Sequence, residues 1–285
     1  LSNVFKIYNI FENSNLNLTS KINQILNITD NYRGPITYFI SAIFLKIFNN
    51  TYNYAYLSNQ VFNVLCIVSI FNLGKLIKDE STGLWASVIF TFSNLIINQR
   101  SDYLIDLSLT TFSCINLLFF TKWFLDYKEK SIYSIFSGIS LALVFLTKPT
   151  GISLFIFPLI TIIFKIYKNK FSILSKINEI LLFNISFLLI IFPWFSKHWL
   201  TIITSILNAW NWGINYQEGL NIDSFNSYLF YFKQLPSIFG VINFYIFLVL
   251  FLLEKTSLRQ FYFIKIQKFK RINFIFLAYL FNCYL

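Results

Sequence analysis

The chain has 285 residues and a formal net charge of +11, is 56% hydrophobic and 21% aromatic, and carries only 12% charged residues. An ordinary soluble domain holds about 25% charged residues, so this composition, with 36 Phe and 17 Tyr, excludes a soluble globule and points to an all-α, polytopic membrane protein. The excess of Lys and Arg falls in short loops between apolar runs, as cytoplasmic flanks of membrane helices do, which excludes nucleic acid as a partner. Cys66, Cys114 and Cys283 lie far apart inside apolar runs, so neither a metal spacing nor a disulfide framework is implied.

Residues 1–34 are polar and Asn-rich. Val4, Phe5, Ile7, Ile10 and Phe11 recur at helical spacing, which predicts a short amphipathic helix and then a loop ending at Gly34-Pro35. Asn17-Leu18-Thr19 and Asn27-Ile28-Thr29 match the glycosylation triplet, a match that is cheap in Asn-rich sequence. Pro35 to Phe48 is too short for a span and reads as a juxtamembrane or re-entrant helix with Pro35 in its first turn. Eight spans follow, at about Tyr54–Ile77, Leu84–Ile97, Leu104–Leu125, Ile132–Leu146, Ile152–Tyr167, Ile177–Phe195, Ile238–Leu253 and Ile272–Leu285. The whole chain thus reads as one integral membrane domain, with 1–53 as outer loop and juxtamembrane helices and 54–285 as a transmembrane bundle interrupted by an outer loop at 196–236.

Loop charges give an orientation. Fifteen of the 23 basic residues follow the first, third, fifth and seventh spans, so that side is expected to be cytoplasmic. The opposite, extracytoplasmic side collects the N-terminal loop, Arg100 to Asp106, Lys148 and the loop from Ser196 to Pro236. The chain opens on Leu, contains no Met, and stops inside the apolar run begun at Ile272. A fragment lacking its first helix and its C-terminus is expected.

Candidate chemistry gathers on that outer side. In RSDYLIDLSLTTF (Arg100 to Phe112), Asp102 and Asp106 fall one helical turn apart on one face. They could hold a cation, orient a sugar hydroxyl or pair with Arg100; equally, Asp106 could complement a helix dipole. Lys148, in LTKPTG, runs against the charge trend. It could snorkel to headgroups or meet an anionic phosphate. FPWFSKHW ends a span at Pro193-Trp194 and presents Lys197 and His198, a pair suited to a phosphate or a lipid headgroup. AWNWGINYQEG adds Trp210 and Glu218, an aromatic face and an acid of the kind that binds carbohydrate, although anchoring at the membrane interface explains the Trp residues equally well.

The order of these motifs resembles a known family. YRGPITYFISAIFLKIF (Tyr32 to Phe48) is similar to the juxtamembrane segment of C-fold membrane glycosyltransferases, in particular the dolichyl-phosphate-mannose–protein mannosyltransferase-like branch that includes bacterial lipid A aminoarabinose transferases. RSDYLIDLSLTTF, LALVFLTKPTG and IFPWFSKHW resemble further motifs of that branch, in the same order. The resemblance implies an inverting transfer of a sugar from a polyprenyl-phosphate donor to a lipid or protein acceptor at the extracytoplasmic face of a bacterial inner membrane. It implies that Asp106 is the second functional aspartate, with Asp102 beside it, and that Lys148 is the lysine at a span turn. Arg100 and His198 match more loosely, and Arg33-Gly34-Pro35 stands where many members have His-Pro-Pro. The family's principal base motif, just after the first helix, would precede Leu1. No cofactor is implied, though the resemblance leaves room for a divalent metal. The competing expectations are a lipid or solute transporter and an inactive truncated relative of such an enzyme.

Overall fold

The computed structural model describes residues 1–28, 33–48, 52–101, 105–125, 130–151, 173–215, 233–238, 240 and 244–245. Among these residues every regular element is a helix. The first group is α1 (Ser2–Glu12), α2 (Leu18–Leu26), α3 (Ile36–Phe48) and α4 (Tyr52–Ala55); the second is α5 (Leu57–Ile77), α6 (Glu80–Thr91), α7 (Asn94–Ser101), α8 (Ile105–Phe124), α9 (Lys130–Thr147) and α10 (Ile173–Asn215).

The way α5 is packed identifies its solvent. Its buried positions include Ser58, Asn59, Asn63 and Ser69, while Val61, Val64, Leu65 and Val68 are exposed. In water this arrangement would be inverted; it suits a helix whose small polar side chains face its neighbours and whose apolar ones face lipid. In the most apolar 18-residue stretch of Leu57–Ile77 only 28% of the residues are buried, whereas the core helix of a soluble protein is mostly buried. At 21 residues α5 is about 31 Å long, close to a hydrocarbon layer of about 30 Å. The Ile177–Ser205 part of α10 is similarly apolar, and in its most apolar 18-residue stretch only 17% of the residues are buried. Leu189 and Phe192 there are 70% and 65% exposed.

These two helices are long and apolar enough to cross a membrane. The expected eight spans are therefore not reached among the described residues. The expected second span is interrupted, because α6 stops at Thr91 and α7 starts at Asn94, with the Ser93 hydroxyl donating to Phe90 O at 2.9 Å. Neither piece alone covers a bilayer. The third and fourth expected spans correspond to α8 and α9. The fifth and eighth lie outside the described residues, as does most of the seventh.

A second correction concerns α10. Sequence reading stops the span at Pro193-Trp194 and opens a loop at Ser196, yet the helix runs on through Pro193 to Asn215. Proline removes one backbone donor and crowds the carbonyl four residues earlier. In this helix that carbonyl belongs to Leu189, whose side chain is largely exposed, so the crowded turn lies on an open face of the helix. With 43 residues α10 is about 64 Å long, twice the hydrocarbon thickness, so it tilts or extends beyond the layer.

The bundle is held by α9 packed between α8 and α10, and by α5 packed between α6 and α8. Asn116 on α8 donates to Ser137 O at 2.8 Å and Ser140 Oγ at 3.1 Å on α9. Thr111 on α8 donates to Phe62 O on α5 at 2.9 Å, and Trp123 Nε1 on α8 donates to Glu179 Oε2 on α10 at 2.8 Å. Gly74 and Gly83 let α5 and α6 touch backbone to backbone: a Cβ on Gly74 would stand 2.5 Å from Gly83 Cα. The N-terminal helices sit on α3 through Val4, Ile7, Ile25, Tyr38, Ala42 and Leu45, and Ile105 of α8 joins that cluster.

Candidate functional site

The site is built where α3 and α8 begin and α9 ends. Asp106 lies in the first turn of α8, where the helix dipole favours a negative charge. Ile105, Leu107 and Ser108 around it are buried, which leaves Asp106 on the side of the turn that faces outward. Lys148 follows the last residue of α9. Its N–H continues the helical pattern by donating to Val144 O at 3.0 Å, and Pro149 then ends the helix. A cation suits this position, since carbonyls accumulate at a helix C-terminus.

The two charges meet across the gap between the helices. Lys148 Nζ stands 3.8 Å from Asp106 Oδ1, with side-chain exposures of 35% and 47%. A half-exposed pair of this kind contributes only about 0.2–1 kcal/mol to stability. Stability is therefore a poor reason for placing an acid and a base here, and both retain faces open to a further molecule.

A third segment closes the site. The Gly34 N–H donates to Thr147 O at 3.2 Å. This approach requires glycine, because a Cβ on Gly34 would overlap the Leu146 carbonyl and come 2.8 Å from Leu146 Cα. Pro35 leads into α3, with Phe39 N–H donating to Pro35 O at 2.9 Å. One turn on, the Thr37 and Ser108 hydroxyls hydrogen-bond at 2.8 Å, both fully buried. Gly34 is thereby fastened to the end of α9, and α3, which follows it directly, is fastened to the first turn of α8.

Lys197 and His198, expected to face a phosphate, occupy another position. Lys197 Nζ donates to Asn23 O at 3.5 Å, Asn23 Oδ1 at 3.3 Å and Asn27 Oδ1 at 3.1 Å. His198 Nε2 lies 2.7 Å from Leu26 O. Both engage the C-terminal end of α2. Below them Trp194, 2% exposed, packs with Phe145, Leu146, Ile191 and Ile202, and with Leu26 and Ile36 against the cluster's edge. Its Nε1 is buried without a hydrogen-bond partner.

Of the remaining expected site residues, Arg100 lies in α7 and Trp210 in α10, while Asp102 and Glu218 fall outside the described residues. Among the described residues no group of three His, Cys, Asp or Glu side chains could hold a metal ion. Sequence reading did not find Gly34, Thr37, Ser108 or Trp194 as contributors. The signal for Gly34 was present in the Gly-Pro pair ahead of an apolar helix, but nothing in the sequence says what the glycine approaches.

A helical chain whose long apolar helices expose most of their apolar side chains, with a half-exposed acid–base pair at one end of its helices, is an integral membrane protein with a candidate site at those ends. A family model described as dolichyl-phosphate-mannose-protein mannosyltransferase matches residues 32–206. That is more than half of the chain, and the chain belongs to this family of membrane glycosyltransferases. The match takes in Gly34, Asp106, Lys148, Lys197 and His198 together. No curated protein and no solved structure matches the chain significantly.

Proposed function

We propose that the protein transfers a sugar from a polyprenyl-phosphate donor to a lipid or protein acceptor at the extracytoplasmic face of a bacterial inner membrane. The observation that carries this reading is the half-exposed Asp106–Lys148 pair at the helix ends, under the Gly34 segment. The acceptor oxygen attacks the anomeric carbon and the bond from that carbon to the phosphate oxygen breaks. Its electron pair leaves with the phosphate, the acceptor proton passes to a carboxylate base, and the anomeric centre inverts. Lys148 exchanges its partner from Asp106 to the departing phosphate, whose growing charge it stabilises. Asp106, released from the pair, orients a hydroxyl of the sugar or the acceptor. Arg100 and Asp102, a few residues before α8, join the proposal as a second cation and a second carboxylate. Trp210 and Glu218 join it as sugar-binding groups.

The test is transfer by variants reconstituted in lipid. Asp106→Asn and Lys148→Ala should each lower transfer by about 100-fold or more, with insertion and folded yield unchanged. Transfer retained at the wild-type rate in both variants overturns these roles.

A further inference from the structure

The structure gives Lys197 and His198 a task that their sequence context did not suggest. The last carbonyls of a helix have no intrahelical partners. At the end of α2 the Leu26 carbonyl is met from a distant element, by His198 of α10, and Asn23 O, which already accepts from Asn27 N–H at 3.2 Å, also receives Lys197 Nζ at 3.5 Å. Lys197 also gathers the Asn23 and Asn27 side-chain oxygens. A carbonyl oxygen can only accept, so the His198 proton resides on Nε2 and is given to Leu26 O. Apolar contacts reinforce the attachment: Ile25 is buried among Val4, Ile7 and Tyr38, and Leu26 packs on the Trp194 cluster.

Gly34 is hydrogen-bonded to Thr147 beside Lys148, and Leu26 at the end of α2 and Ile36 just after Gly34 pack on the same Trp194 cluster. These two segments, 23–28 and 33–36, form one strap on that cluster, held to α10 at Asn23–Asn27 and to the end of α9 at Gly34. We propose that Lys197 and His198 are positioning residues: by capping α2 from α10 they fix the strap that sets the Gly34 segment against the Asp106–Lys148 pair. The effect on catalysis rests on the transfer reaction proposed above; the tying of the strap does not.

Hydrogen exchange and transfer kinetics, measured together on the full chain in lipid nanodiscs, test this. In the double variant Lys197→Met with His198→Leu, amides of 18–28 and 33–40 should exchange at least about tenfold faster, since two capping interactions are lost. Peptides from α5 and α6 should be unchanged, which shows that the variant folds. The double variant should lose about tenfold or more in kcat, with donor KM altered less than about twofold, because neither residue touches the donor. Single His198→Gln places an amide N–H where Nε2 lies and should restore both exchange and kcat, although it cannot carry charge. Unchanged exchange in the double variant overturns the strap, and so does faster exchange confined to 18–28. A raised donor KM that His198→Gln fails to restore makes the pair a phosphate site instead and also overturns the proposal. A wild-type chain that transfers nothing overturns the proposed reaction, and the exchange pattern then decides the strap by itself.

Discussion

Replacing Gly34 by alanine adds one methyl group at the tightest point of the site. The new Cβ would overlap the Leu146 carbonyl and lie 2.8 Å from Leu146 Cα. These are backbone atoms at the end of α9, and Leu146 itself is 7% exposed in the Trp194 cluster, so no rotamer change relieves the clash. The strap must retreat by roughly 1–1.5 Å to reach ordinary contact distance. Forcing an extra methyl group into a packed site costs about 1–3 kcal/mol. The Gly34 N–H···O Thr147 bond, 3.2 Å long, would also be lost, for about 0.5–1.5 kcal/mol more. The local cost is therefore about 1.5–4.5 kcal/mol, enough to detach the Gly34 segment from α9. A displacement of about 1 Å at a reacting site lowers rate by up to about 100-fold. Transfer from a polyprenyl-phosphate sugar in proteoliposomes, with thermal unfolding in detergent as the companion measurement, reads both effects. Gly34→Ala should lower kcat by about 10- to 100-fold and shift unfolding by a few degrees at most. Wild-type kinetics for Gly34→Ala would show that the close approach is not needed by the site, and the reasoning would fail.

Three further expectations concern the bundle and its charges. Gly74→Leu should separate α5 from α6, since even a Cβ there meets Gly83 Cα at 2.5 Å; a folded yield equal to wild type in size-exclusion analysis would contradict it. Trp123→Phe keeps the stacking on Phe183, 5.5 Å between ring centres, but removes the donor to Glu179. It should destabilise by about 1–3 kcal/mol in denaturant unfolding, with Glu179→Gln recovering little because the donor is gone. Lys75, hydrogen-bonded to Glu80 at 2.6 Å, holds the Glu80 carboxyl below the ordinary range for glutamate. A depressed carboxyl contributes stability above its unfolded value of about 4.3, lost as pH falls through the lower folded value. Wild type and Glu80→Gln should therefore differ slightly at neutral pH and converge in acid; a difference that grows on acidification refutes the assignment.

Much of this architecture could be read from residue order. Pro35 before a run of apolar residues placed the start of α3, and the apolar lengths of α5, α8 and α9 placed those helices within a few residues. Three features could not be read. Asn17-Leu18-Thr19 looked like a chance glycosylation triplet within a loop, whereas Asn17 caps α2, its side chain accepting from Ser20 N–H at 2.9 Å. Pro193 looked like a stop, because a proline penalty is local and the packing that outweighs it is not. The interruption between α6 and α7 had no proline or glycine to announce it.

The site shows the same division. Asp106 and Lys148 were each legible as charges in costly surroundings, but their meeting at 3.8 Å joins two segments far apart in sequence and depends on how α8 packs on α9. Lys197 and His198 were legible as a neighbouring pair of donors. That they face α2 follows from the continuation of α10 beyond Pro193, which carries both residues round to the face that meets Leu26. Once the helix is known to continue, the acceptors that these two donors meet are Asn23, Leu26 and Asn27.

The central claim is that this chain breaks the bond between a sugar and a polyprenyl phosphate. The most direct measurement incubates the purified chain in liposomes with a polyprenyl-phosphate donor bearing a labelled sugar, and follows the label alongside free polyprenyl phosphate. Polyprenyl phosphate should be released in step with sugar transfer, and Asp106→Asn should stop both. A donor that crosses the bilayer with its glycosidic bond unbroken, or that stays intact where it was added, would contradict it.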